Sequence, residues 1–133
     1  MKLTAVGVIV GEVVKIKPHP NADSLRIATV KYSPTDAPLQ VIFGGLTEIV
    51  RPGSLVPLAP PSKSCRVQGV KMRRRRYRGI VSEGELCSLY ELGLTNYDTD
   101  QVAVLAGQPA IGTPIEALLH GIDPEGKLVF ENY

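Results

Sequence analysis

The chain has 133 residues, 44% of them hydrophobic, with 15 Lys and Arg against 13 Asp and Glu. That length suits one domain, 1–133, burying about two-thirds of its unfolded surface without disulfides or a structural metal. No apolar run reaches the roughly 18 residues of a membrane-spanning helix and no secretory-type segment opens the chain, so a cytoplasmic location is expected.

No Trp, two Phe and five Tyr leave the core to Val, Ile and Leu. With 13 Gly and 11 Pro between them, these residues favour strands joined by turns. Residues 4–17 predict one long, coiled first strand, with Gly7 and Gly11 marking a bulge or bend where a strand serves two sides of a small barrel. The Pro18–Asp23 loop is stiffened by two prolines, and residues 25–32 alternate as a second strand whose buried face the pattern leaves open. A third strand is expected over 39–43, a helical turn over 46–50 stopped by Arg51-Pro52-Gly53, and a fourth strand over 54–59, where Pro57 argues for an edge position. Cys65 and Cys87 lack a C-x-x-C or His spacing and read as free thiols.

Charge is distributed unevenly. Residues 1–48 hold five bases and four acids, 49–82 nine bases and no acid, and 83–133 one base and nine acids. Such a basic run repels itself unless it is solvated or meets a polyanion, which points to nucleic acid; a solvated charged hairpin is the alternative. As a strand, 70–78 would put Lys71, Arg73, Arg75 and Tyr77 on one face and Met72, Arg74, Arg76 and Arg78 on the other. Neither face is apolar enough for a core, so an exposed hairpin or arm is expected, leading into a fifth barrel strand over 80–88. Further on, the pattern predicts a helical turn over 90–94 capped by Gly93, a short strand over 101–105, a helix from Thr113 as N-cap to Gly121, and a last strand over 127–131. Five short strands with a helical turn between the third and fourth describe an all-β, five-stranded Greek-key barrel of OB type, core about 4–94, with small C-terminal elements over 95–133.

Two segments carry a resemblance. Pro18-His19-Pro20-Asn21-Ala22-Asp23-Ser24-Leu25-Arg26 and Arg78-Gly79-Ile80-Val81-Ser82-Glu83-Gly84-Glu85-Leu86-Cys87-Ser88, followed by Glu91-Leu92-Gly93-Leu94 and Gly112-Thr113-Pro114-Ile115, resemble the tRNA-binding OB-domain family. That family includes a domain near the N-terminus of bacterial phenylalanyl-tRNA synthetase beta subunits, extensions of methionyl-tRNA synthetases and freestanding tRNA-binding proteins. The resemblance spans about 4–116 and is greatest to the phenylalanyl branch; a freestanding relative fits best, with an excised synthetase fragment as the alternative. It implies an OB barrel that binds tRNA, works in trans with an aminoacyl-tRNA synthetase and forms a homodimer, joined through segments such as 95–133. Three departures stand out. Glu85 replaces the usual Met, a carboxylate that would repel phosphate at close range. Phe43-Gly44-Gly45 replaces Cys-Gly-Ala, and the following Asn is missing.

Five arginines in the six residues 73–78 offer planar forks for bidentate phosphate contact and for stacking on bases, which makes Arg73, Arg74, Arg75, Arg76 and Arg78 the leading tRNA contacts. Tyr77 could stack on an unpaired base, and Lys71, Lys17 and Arg26 extend the basic surface. His19 is either an RNA contact or a turn residue bonding the backbone, and Asn21 and Asp23 read as turn formers. Ser82 and Glu83 either line the groove or, for Ser82, bond within the barrel. No nucleophile elbow, Walker motif, dinucleotide fingerprint or His-Glu-x-x-His is present, so neither catalysis nor a cofactor or metal is expected. The competing expectation is a protein-interaction or export-chaperone-like module holding peptide in the OB groove.

Overall fold

The computed structural model describes residues 3–44, 49–98, 101–122 and 128–130. Strands β1 (Ile9–Pro18), β2 (Leu25–Lys31), β3 (Leu39–Gly44), β4 (Leu55–Ala59) and β9 (Glu85–Leu86) form one antiparallel sheet in the order β3-β2-β1-β4-β9. The sheet curls into a nearly closed OB-type barrel, as the strand spacing and turn chemistry imply. β1 serves two sides, pairing with β4 through Ile9–Glu12 and with β2 through Glu12–Pro18.

The bulge falls at Val14, between Val13 and Lys15, not at a glycine. Gly11 instead permits a close approach, since a Cβ there would press on Val30 and Leu58 and the missing side chain lets β1 sit against the core. The barrel interior is built from Val13, Ala28, Val30, Val41, Phe43, Val56 and Leu58. On β2 this settles the open question in favour of Ala28 and Val30 inside, although Ile27 is buried too. A second cluster joins Val8, Val10, Ala59, Cys65, Val67, Met72, Cys87, Leu92 and Ile115. Complete burial of a side chain such as Leu58 or Ile115 contributes roughly 1.5–3 kcal/mol.

Pro57 does not mark an edge, because β4 lies between β1 and β9. The missing N–H is tolerated since no acceptor waits for it. Its β1 neighbour Val10 turns its own polar groups towards Thr113 and Gly112, and the Cys87 carbonyl is taken by the Ala103 amide. Residues 102–115 thus strap the barrel: Leu105 donates to Leu55, Ile115 to Val8, and Ile115 is fully buried. The expected strand over 101–105 reduces to an isolated bridge between Val102 and Ser88.

Between β4 and β9 the basic segment folds as two tight hairpins. β5 (Arg66–Val67) pairs with β6 (Val70–Lys71), and β7 (Arg74–Tyr77) with β8 (Ile80–Glu83). The expected fifth strand over 80–88 is therefore divided at Gly84, whose φ of +98° no side chain would favour and where a Cβ would collide with the Ala59 carbonyl. The turn at 90–94 is α1 (Leu89–Leu92), closed by Gly93 in the left-handed conformation. Ser88 and Glu91 add a reciprocal capping box.

The helix expected over 113–121 is only α2 (Ile115–Leu118); β10 (Leu119–Ile122) follows and pairs with β11 (Leu128–Phe130). Pairing with 128–130 gives the backbone of 119–122 the partners that a continued helix would have supplied. The helical turn expected over 46–50 lies largely outside the described residues.

Candidate nucleic-acid interface

All four residues of β7 are exposed. Period-two alternation sends Arg75 and Tyr77 one way, where they border a depression with Arg73, and Arg74 and Arg76 the other. The strand is interrupted at 72–73, and Met72, nominally on the face of Arg74, turns into the core and anchors the start of the hairpin. The tip is a two-residue turn with Arg78 at φ +52° and Gly79 at φ +86°, both left-handed, as a tight hairpin of this hand requires.

Two sets of hydrogen bonds hold this hairpin. At the tip, buried His19 accepts the Asn21 amide on Nδ1 (3.0 Å), which leaves the proton on Nε2 to be donated to the Tyr77 carbonyl (2.8 Å). Beside it, Asn21 Nδ2 donates to the Arg78 carbonyl at 2.9 Å. Along the base, the outer edge of β3 is completed by side chains of β8. Ser82 Oγ accepts the Ile42 amide (2.9 Å) and donates to the Gly84 carbonyl (3.0 Å), while Glu83 Oε1 accepts the Gln40 amide (3.0 Å). Gln40 Nε2 returns a bond to the Val81 carbonyl at 2.8 Å. These bonds close the barrel where no backbone ladder does.

Three of the sequence-derived site residues, His19, Ser82 and Glu83, thus spend their polar groups on holding the hairpin. Glu83 also makes the run's one ion pair among the described residues, with Arg74 Nε at 3.4 Å. The pair is largely exposed, so its stabilisation is at most about 1 kcal/mol. Lys71, Arg73, Arg75, Arg76, Tyr77 and Arg78 all stand exposed on or beside the hairpins, and Lys17 at the exposed end of β1 just before the clamped loop. Arg26 is half-buried, its guanidinium 5.1 Å from the centre of the Phe43 ring.

The depression beside β7 adjoins a larger one of about 520 Å³, which shares Tyr77, Glu85 and Glu91 with it and is also bordered by Phe43, Tyr90 and Asp98. Burial, then the neighbouring and hydrogen-bonded Glu91, push the Glu85 carboxyl up to about 8 against a partial lowering by Arg75. Glu85 is thus mostly protonated at neutral pH, and the repulsion of phosphate expected from its sequence position is largely removed there. The thiols of Cys65 and Cys87 are free and buried. Burial pushes Cys65 up to about 11, with Glu85 adding to it, and raises Cys87 well above the ordinary thiol value. No group of three or more His, Cys, Asp or Glu among the described residues is placed to hold a metal ion. No described helix is long and apolar enough to cross a membrane.

Sequence reasoning missed Gln40, Tyr90 and Glu91. The Ser88-x-x-Glu91 spacing carried a legible capping signal for the last of these; nothing local marked the other two.

The fold and this surface define an OB-type barrel presenting a cationic hairpin beside an aromatic-lined depression. Residues 8–114 match the family described as "Putative tRNA binding domain", and the chain belongs to that family. It is 37% identical over 123 residues to the phenylalanine–tRNA ligase beta subunit of Synechococcus sp. (strain CC9605), covering 90% of this chain and 15% of that subunit. The corresponding subunit of Gloeobacter violaceus is 40% identical over 90 residues, 68% of this chain and 11% of the relative. That of Nitrosospira multiformis is 35% identical over 112 residues, 83% of this chain and 14% of the relative. The chain thus spans only a small part of these relatives' length.

Proposed function

We propose that this chain is a non-catalytic tRNA-binding module of the cytoplasm that grips tRNA by backbone and shape through the β7–β8 hairpin. Arg73, Arg75, Arg76 and Arg78, with Lys71, Lys17 and Arg26 beside them, supply the phosphate contacts, and Tyr77 a stacking surface. His19, Ser82 and Glu83 contribute by fixing the hairpin. The observation that carries this reading is the display of β7: four consecutive side chains, three of them arginines, held outward on a strand fastened at tip and base. A polyanion can meet such a surface without reordering its backbone. On this reading the module acts in trans with an aminoacyl-tRNA synthetase and works as a homodimer, as freestanding members of the family it resembles do.

Filter binding of bulk tRNA between 50 and 300 mM salt tests the reading. If about five phosphates are neutralised, log K falls against log salt with a slope near −3.5, at ~0.7 per contact. Replacing Arg73, Arg74, Arg75 and Arg76 together by Ala should abolish binding. Absence of binding by the unaltered protein at 50 mM salt would sink the proposal, and a peptide-holding module would then be the reading to pursue.

A further inference from the structure

The geometry of β7 narrows the kind of RNA that its arginines can grip. The strand pairs with β8 alone, and β8 is in turn stitched to the edge of β3 through Ser82, Glu83 and Gln40. β7 is therefore the outermost strand, and among the described residues no other strand lies along its far edge. It forms a fin at the margin of the barrel: all four of its residues are exposed, and the turn at Arg78 and Gly79 makes the tip.

The arginines stand on both faces of this fin. Pleating sends Arg75 towards the hollow it borders with Arg73 and Tyr77, and sends Arg74 and Arg76 to the opposite side, where Arg74 meets Glu83. The nearby acids are divided between the faces as well. On the first, Arg73 and Arg75 stand beside Glu85 and Glu91, but Glu85 mostly keeps its proton at neutral pH, so two positive charges meet about one negative charge. On the second, Arg74 and Arg76 meet Glu83, one oxygen of which is already committed to the Gln40 amide. Each face thus keeps a cationic excess of its own. One row of phosphates can serve only one such face. Double-stranded RNA offers two rows, which flank the deep, narrow A-form major groove and are presented without any opening of the duplex. Arginines two residues apart on a strand lie ~6.8 Å apart, comparable to the spacing of neighbouring phosphates along one RNA strand.

Resting on the tRNA-binding reading above, we propose that the β7 fin binds at the major-groove mouth of an RNA stem, with Arg74 and Arg76 on one phosphate row and Arg73 and Arg75 on the other. The ligand class is double-stranded RNA, and the part of tRNA that the fin takes is a base-paired arm. Because side chains cannot read the floor of that groove, the contact is to backbone alone.

Fluorescence anisotropy with a labelled blunt-ended RNA duplex, and with a uridine oligomer of the same strand length, tests this between 50 and 300 mM salt. The duplex should bind at least about tenfold more tightly at the lowest salt and show the steeper salt slope. Changing Arg74 and Arg76 together to Ala, or Arg73 and Arg75 together to Ala, should each flatten the duplex slope by about 1.8, at ~0.9 per contact. Lys15→Ala combined with Lys31→Ala removes the same charge from exposed positions on β1 and β2 and should leave that slope as it is. Circular dichroism of each variant establishes that it is folded before its affinities are compared. Equal or tighter binding of the uridine oligomer, with tRNA binding intact, would overturn this inference alone. So would a duplex slope that only one arginine pair alters, or one that the lysine variant flattens as much. Absence of tRNA binding by the unaltered protein would instead remove the reading beneath it.

Discussion

Replacing Glu85 by Gln should change how stability depends on pH. The carboxyl is half-buried on β9, and its folded value of about 8 stands above the ordinary 4.5 mainly because of desolvation, then the proximity of Glu91. A group whose folded value is raised holds its proton in the native state where the unfolded chain has already released it. Between pH 4.5 and about 8 the native protein therefore binds the extra proton, and its stability falls as pH rises through that window, levelling off above it. The full displacement corresponds to about 4–5 kcal/mol. Solvent screening of a half-buried group brings this to roughly 2 kcal/mol. Gln keeps the shape and the hydrogen-bonding capacity but cannot ionise, so Glu85→Gln should match the parent near pH 4 and exceed it by ~2 kcal/mol at pH 9. Urea unfolding followed by circular dichroism at pH 4, 6, 7.5 and 9 measures this difference. A stability difference that stays constant across those pH values would refute the reasoning, because it would show that Glu85 titrates alike in the folded and unfolded chain.

Cys65 and Cys87 should resist thiol reagents at pH 8 in the folded protein. Raising Cys65 from 9 to about 11 lowers its thiolate fraction by ~100-fold, whereas both thiols should react at the ordinary rate in denaturant, as followed with a chromogenic disulfide. Gly84→Ala places a side chain against the Ala59 carbonyl at a φ of +98°, and a loss of more than ~3 kcal/mol, or failure to fold, is expected in thermal unfolding. His19→Ala deprives the Tyr77 carbonyl and the Asn21 amide of their partner. It should cost roughly 1–3 kcal/mol in urea unfolding, with faster hydrogen exchange across the β7–β8 hairpin and weaker tRNA binding.

The barrel was legible because its signals are local: β-branched strands, Asx and glycine turns, and a reversal of charge that set off the exposed hairpin. What escaped were features decided by neighbours far away in sequence. Pro57 obeys the rule that a proline cannot donate to a ladder, yet it sits inside the sheet because Ala103 and residues 112–113 have taken the groups that would have faced it. Whether Ala28 or Ile27 faces inward could not be told from β2 alone, since both are buried. His19 illustrates the same limit at the site. A histidine between two prolines reads as a turn residue, and Nδ1 does bond the local backbone at Asn21, but Nε2 reaches the Tyr77 carbonyl, 58 residues on.

That long-range bond changes how the basic run should be understood. Four consecutive arginines on an unanchored loop would have to lose backbone freedom on meeting RNA, at about 1–2 kcal/mol for each residue ordered. Here the loss occurs during folding, because Met72 sinks one end into the core, His19 and Asn21 hold the tip, and Ser82, Glu83 and Gln40 stitch the base to β3. Glu83 serves both the base and the basic run, accepting an amide from Gln40 with one oxygen and Arg74 with the other. The acids near the run lie on two sides of it: Glu83 on the outer face with Arg74, and Glu85 and Glu91 in the depression beside Arg73 and Arg75, where burial and the proximity of Glu91 suppress the charge of Glu85. On the proposed reading, Arg73, Arg75 and Arg76 are thereby left to an external polyanion, although nine acids follow them in the sequence. On this view the affinity of the surface depends as much on neutral hydrogen bonds made by residues that touch no RNA as on the number of arginines it presents.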